Sequence, residues 1–314
     1  VGVEAAGRRS RGTEEALVMG LLASLFGGSS RVDLWKRFER LRESNTGTMS
    51  AFYQVKELSS GRVLGLKVID GKKTSPVESR YAGLGKPSEG EISVKLVAPT
   101  LVRTLEHGVS TTGDSYLVQE FLQGENLHLV LTKKGGVAPE KRPDLVRQAA
   151  RAVAAVHAAG FVHRDICPRN FMLKPDGSLV LFDFGLTVPD KPVFMQPGNR
   201  VGTPNYMAPE VIRRRQADKR LDIFSFGVTA YEICTCQSPW PRGTSGSVAL
   251  AHDSPPADIR GGWPEIPEPL AAGIMACLEA DPARRPATME QFLQAVARVP
   301  SGKNAAAGPR AGSP

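Results

Sequence analysis

The chain has 314 residues, 41% hydrophobic and 23% charged, with a formal net charge of +8. This length suits a domain of roughly 260–270 residues with ample core and short flanks. The positive balance permits acidic partners, but Lys and Arg are scattered without aromatic interleaving, so nucleic-acid binding is not expected. The cysteines Cys167, Cys234, Cys236 and Cys277 have neither disulfide nor zinc spacing, which fits a reducing cytoplasm. No segment reaches the roughly 18–20 apolar residues that cross a bilayer.

Residues 1–30 form an N-terminal extension, expected to be partly disordered. Within it, Ala16 to Phe26 is an apolar run following Glu14 and Glu15, the wrong flank for a signal peptide, and is expected to form a short amphipathic helix packed on the domain. Residues 31–122 are strand-rich, and Val63–Ile69 is an apolar strand broken only by Lys67, costly to bury unless paired. The stretch from Gly71 to Gly90 is rich in Gly, Pro, Ser and Lys and reads as a mobile loop. Pro87-Ser88 then opens a helix with Glu89 and Glu91 in its first turn, favourable to the helix dipole. Residues 123–299 turn helical. Asp144 to His157 carries apolar residues at helical spacing and stops before Gly160, with His157 read as packing or as a last-turn cap. Residues 300–314 read as a disordered tail.

The densest chemistry lies in residues 161–185. Phe161-Val-His-Arg-Asp165-Ile-Cys-Pro-Arg-Asn170 is followed by two short strands around the turn Pro175-Asp176-Gly177, and then by Asp183-Phe184-Gly185. Asp165 can accept a hydrogen bond from a substrate hydroxyl, while Asn170 and Asp183 offer hard oxygens to magnesium. Alone, His-Arg-Asp is more often a surface ion-pair cluster and Asp-Phe-Gly a turn with a buried Phe; their order and spacing make coincidence remote. The pair resembles the catalytic and metal-binding loops of the protein kinase family. Ala208-Pro209-Glu210, Asp222-Ile-Phe-Ser-Phe-Gly227 and Asp281-Pro-Ala-Arg-Arg285-Pro286 extend the resemblance to roughly 85% of the chain. It implies an α+β, bilobal protein kinase fold, with a small β-rich N-lobe over 31–122 and a larger α-helical C-lobe over 123–299. It further implies a buried Glu210–Arg285 pair and backbone amides of the catalytic loop accepted by Asp222.

By the same resemblance, Lys67 holds the first phosphates of ATP, a helix glutamate pairs with it, and a glycine-rich loop covers the nucleotide. Counting back from Pro99-Thr100 gives Glu89, with Glu91 two residues away and the register open. The following core position is then Ser93 or Lys95, where the family has an apolar residue. The glycine loop is degenerate: Asn45, Gly47 and Ser50 stand at the three glycine positions. Phe52 is larger than the usual valine and Gly65 smaller than the usual alanine, so the two are expected to compensate in volume around adenine; otherwise Phe52 fills the nucleotide site. Gln119 guards the adenine pocket, backbone groups of Glu120 and Leu122 read adenine, and Met172 belongs to the nucleotide-binding set.

Cys167 stands where serine/threonine kinases usually carry lysine, and Arg169 stands where many tyrosine kinases carry arginine and could stabilise transferred charge. The docking loop Gly202-Thr203-Pro204-Asn205-Tyr206 resembles the serine/threonine form, in which the Thr203 hydroxyl bonds the catalytic aspartate. Between Gly185 and Ala208 the only hydroxyls are Thr187, Thr203 and Tyr206, so phosphorylation there is not expected to be the main switch. These features point to a cytoplasmic, bacterial-type serine/threonine protein kinase using ATP and Mg2+ on protein substrates. The alternative is a pseudokinase scaffold, suggested by the poor glycine loop, Phe52, Cys167 and the open glutamate register. A small-molecule kinase fits less well, because such enzymes lack the Ala-Pro-Glu segment.

Overall fold

Apolar residues at every second position build the first layer. In the computed structural model, which describes residues 31–44, 50–198, 200–243, 251–252 and 254–300, helix α1 (Leu34–Arg37) leads into strands β1 (Phe38–Ser44), β2 (Ser50–Glu57), β3 (Val63–Ile69), β4 (Thr104–Val109) and β5 (Ser115–Glu120). The readings of residues 1–30, Asn45, Gly47 and 301–314 lie outside the described residues. The strands form one antiparallel sheet in the order β1-β2-β3-β5-β4. Val55, Leu64, Leu66, Tyr116 and Val118 bury a common core with Leu34 and Phe38. Because strand side chains alternate, Gly65 and Lys67 share the opposite face of β3. β3 is central, so Lys67 is no edge-strand lysine.

The segment read as a mobile loop is partly helical. Asp70 accepts from the backbone N–H groups of Lys72 and Lys73 and starts helix α2 (Gly71–Glu78), which contains Pro76. A short 3-10 turn, Ser79–Tyr81, follows and buries Tyr81. The Gly, Pro and Ser content pointed to a loop; the cap at Asp70 and the burial of Tyr81 outweigh it. Helix α3 (Glu89–Ser93) is only a turn and a half long.

The rest is mainly helical: β6 (Glu125–Asn126), α4 (Leu127–Thr132), α5 (Arg142–Ala158), β7 (Phe161–Val162), β8 (Phe171–Leu173), β9 (Leu179–Leu181), β10 (Val188–Pro189), α6 (Pro209–Ile212), α7 (Arg220–Thr235), α8 (Glu268–Cys277) and α9 (Met289–Ala295). β8 and β9 are the hairpin expected between the two motifs. Helix α7 is buried from Leu221 to Thr235 and packs between α5 and α8, which makes it the axis of this lobe.

Glu210 on α6 and Arg285 meet as expected, through two parallel bonds of 2.8 Å, both residues being buried. The carbonyls of Glu279, Arg220 and Ala280 take further guanidinium protons. With its donors so completely engaged, Arg285→Ala strands the Glu210 carboxylate and is expected to cost about 3–5 kcal/mol in a urea denaturation series.

His252 packs on the rings of Trp240 and Phe224, with its Nδ1 donating to the Met207 carbonyl at 3.0 Å. Burial lowers its pKa to about 4. The unfolded chain therefore takes up a proton near pH 6.5 that the folded chain refuses, and stability falls as pH drops from about 6.5 toward 4. Between pH 7 and 5 the wild type should lose about 2 kcal/mol more than His252→Gln, measured by denaturation at each pH.

Candidate active site

Lys67 reaches from β3 to two carboxylates. Its Nζ lies 2.5 Å from Glu89 Oε1 and 2.8 Å from Asp183 Oδ1. The register left open by the sequence is thereby closed, since Glu91 has another task. Glu91 accepts from the Ser88 N–H at 2.7 Å while the Ser88 hydroxyl accepts from the Glu91 N–H at 3.3 Å, a capping box that starts α3. Gly90 between them is required sterically: a Cβ there would lie 2.6 Å from Cβ and Cγ of His107 on β4. The next core position is then Ser93, which is fully buried with its hydroxyl unpartnered among the described residues.

Charge is shared unevenly in this triad. Burial works against the Lys67 ammonium, yet the charges of Asp183 and Glu89 hold its proton more tightly than usual. Lys67 in turn holds Asp183 below the normal carboxylate range, whereas burial pushes Glu89 up against the pull of the same lysine. Asp183 adopts a left-handed φ of 68°, an uncommon conformation for a residue other than glycine, and its carboxylate also accepts from the Gly185 N–H.

Asp165 sits on the loop between β7 and β8. Its Oδ1 accepts from both the N–H and the hydroxyl of Thr203, each at 2.8 Å, and its Oδ2 accepts from Asn170 Nδ2 at 3.0 Å. The loop hangs on Asp222 of α7, which accepts from the backbone N–H groups of His163 (2.7 Å) and Arg164 (2.8 Å). His157 completes this anchor: its Nε2 bonds Asp222 at 2.9 Å, so it is neither mere packing nor a helix cap. Burial would raise the Asp222 carboxyl, but the hydrogen bond and charge of His157 bring it below its ordinary value. The Asp165 N–H donates to Nδ1 of His163, so that neutral, buried ring carries its proton on Nε2 and packs against Phe184 at 5.6 Å between centroids.

The other expected residues fall around this centre. Cys167 is buried with its sulfur 3.7 Å from the Thr203 hydroxyl, and burial pushes the thiol to about 12, so it stays neutral. Arg169 is exposed; its carbonyl accepts from Asn126, and its charge helps lower the pKa of His128 after burial. The ring of Phe52 crosses Gly65, with Cζ 2.7 Å from where a Cβ would stand, so the two do trade volume. Gln119 is buried at the end of β5 and bonds Thr104, with Glu120 beside it opposite Leu64 of β3. Leu122 is half-buried beyond β5, and Met172 is half-buried on β8.

Two contributors were not picked out from the sequence. Tyr81 reaches Arg164, directly before Asp165, from a segment read as a loop; no spacing signals a contact between residues so far apart in the chain. Gly90 lies between the two acids with no reason visible in the sequence, and the closeness of His107 supplies it.

The protein kinase domain description matches residues 38–296 of this chain. The chain belongs to the protein kinase family. It is 30% identical over 280 residues to the serine/threonine-protein kinase PknA of Mycobacterium tuberculosis, covering 87% of this chain and 63% of that protein. It is 29% identical over 265 residues to the serine/threonine-protein kinase pkn3 of Myxococcus xanthus, covering 80% of this chain and 48% of that protein. The chain thus spans about half to under two thirds of the length of these relatives.

The two acids of α3 are separable by substitution. Glu89→Gln is expected to weaken ATP binding at least tenfold by calorimetry, because Lys67 loses a charged partner. Glu91→Gln should leave binding within twofold, since glutamine also closes a capping box.

Proposed function

We propose that the chain is a serine/threonine protein kinase that transfers the γ-phosphoryl group of ATP to protein hydroxyls with magnesium. The observation that carries this reading is the simultaneous engagement of Lys67 by Glu89 and Asp183 and of Asp165 by Thr203 and Asn170. A kinase needs both halves together, because phosphoryl transfer depends on positioning and charge more than on covalent chemistry by the protein. The scaffold alternative drew support from an unassigned helix glutamate, and Glu89 occupies that position.

The donor set suits a hard cation. Asn170 uses its Nδ2 on Asp165, leaving Oδ1 without a protein donor among the described residues, and Asp183 Oδ2 is likewise unclaimed. These two oxygens would hold magnesium, which when bound neutralises phosphate charge. Lys67 orients the first two phosphates of the nucleotide. Asp165 accepts the hydrogen bond of the acceptor hydroxyl and points its oxygen at the γ-phosphorus. Thr203 and Asn170 fix the Asp165 carboxylate, and the Thr203 hydroxyl links it to the docking loop that receives the peptide. Arg169 offers positive charge at the rim, a task the neutral Cys167 thiol cannot perform.

The serine/threonine assignment is supported by the docking loop and by the names of the relatives. A cytoplasmic setting is supported by the four free cysteines; no helix among the described residues is long and apolar enough to cross a membrane.

Labelled γ-phosphate transfer from Mg-ATP to the protein itself and to a generic basic protein tests the proposal. Wild type should transfer label to serine and threonine, and Asp165→Asn and Lys67→Met should each reduce transfer at least a hundredfold. A folded wild type without transfer, or label on tyrosine alone, would reject it.

A further inference from the structure

The arginine before Asp165 is held from an unexpected direction. Arg164 adopts a left-handed φ of 71°, with its N–H fixed on Asp222. Its Nη1 donates to the hydroxyl of Tyr81, and its guanidinium carbon lies 5.8 Å from the centre of the Tyr81 ring. Tyr81 is 3% exposed. Its ring also packs on Phe194 of the activation segment, at 6.0 Å between centroids, and has Lys86 Nζ 5.7 Å from its centre. Lys86 is itself paired to Glu78 of α2 at 2.8 Å. One side chain therefore touches the catalytic loop and the activation segment, and it stands on the segment that delivers Glu89 to Lys67.

We propose that Tyr81 is a positioning residue that orders Arg164 and the catalytic loop with a neutral hydroxyl, in the role an activation-segment phosphate would otherwise fill. The inference rests on the kinase reading for its catalytic consequence. It explains how the segment does without a phosphate, since none of its hydroxyls is open to modification: Thr187 is fully buried with its hydroxyl unpartnered among the described residues, Thr203 is held by Asp165, and Tyr206 donates to Glu232 at 2.7 Å. Phosphorylating Thr203 or Tyr206 would break a contact of the arranged site, and Thr187 is closed off by burial. A tyrosine hydroxyl bonded to an arginine needs no modifying enzyme, so the loop is ordered as soon as the chain folds.

Four variants separate positioning from packing. Tyr81→Phe removes the hydroxyl and keeps the ring on Phe194; Tyr81→Ala removes both; Arg164→Ala, alone and combined with Tyr81→Phe, closes a double-mutant cycle. Tyr81→Phe should lower kcat at least fivefold while KM for ATP stays within twofold and the unfolding midpoint within about 2 °C. The double variant should be no slower than Arg164→Ala alone. Peptide-level mass spectrometry of fully active wild type should show no phosphate between residues 186 and 208. Hydrogen exchange reads the link without any turnover: amides 163–170 should exchange at least fivefold faster in Tyr81→Phe than in wild type. A Tyr81→Phe protein with wild-type kcat and unchanged exchange, or a loop phosphate required for rate, overturns the inference. If wild type shows no transfer, the kinase reading fails, and the exchange comparison still decides whether Tyr81 orders the loop.

Discussion

One ammonium shared by two carboxylates holds the two halves of the active site together. Lys67 comes from the sheet, Glu89 from the short helix beside it and Asp183 from the far side of the cleft; Asp183 keeps about half of its side chain exposed, while Lys67 and Glu89 are largely removed from water in the pairing. Burying these charges is costly, and the cost is met only when every partner is in place, so the arrangement is all-or-none. The group also carries one more negative than positive charge. An added cation near Asp183 would correct that imbalance, which is the electrostatic reason the site suits a metal-bound nucleotide.

The lower half depends on a second buried carboxylate of a different kind. Asp222 gives its oxygens to two backbone N–H groups and to His157, and so converts the core helix α7 into a platform for the catalytic loop. Asp165 lies just beyond those amides, and its own oxygens are fixed by Thr203 and Asn170. Geometry thus passes from α7 to Asp165 through buried hydrogen bonds to the adjoining backbone.

Much of this was legible because catalysis demands fixed residue types at fixed spacing. The loop from His163 to Asn170, the hairpin to Asp183 and the Glu210–Arg285 pair could be assigned from the chain alone, and the geometry agrees at each. The helix near Lys67 was legible at its start after Pro87-Ser88, but which of its acids faces Lys67 was not. Glu89 and Glu91 both suit a first helical turn, and what separates them is the Ser88 cap and the approach of His107 to Gly90, both properties of packing. His157 looked like an ordinary last-turn residue because its partner lies 65 positions away. The stretch after Asp70 misled because loop-like composition masks a helix when a single cap and a buried aromatic supply the stability.

A short α3 has a consequence for control. A long helix can swing on its ends and so make the Lys67 pair an on–off contact. Here the helix has five residues, starts in a capping box, presses its Gly90 against His107 and follows a segment pinned by Tyr81 and Lys86. Moving Glu89 outward would have to disturb all of these contacts at once, and interfaces packed this closely are bistable only when an alternative packing exists. The buried hydroxyl of Ser93, unpartnered among the described residues, is the weak point in this packing, because a polar group sits where an apolar one would lock the helix against the core. The inward position is therefore set chiefly by links at the N-terminal end of α3 and in the segment before it.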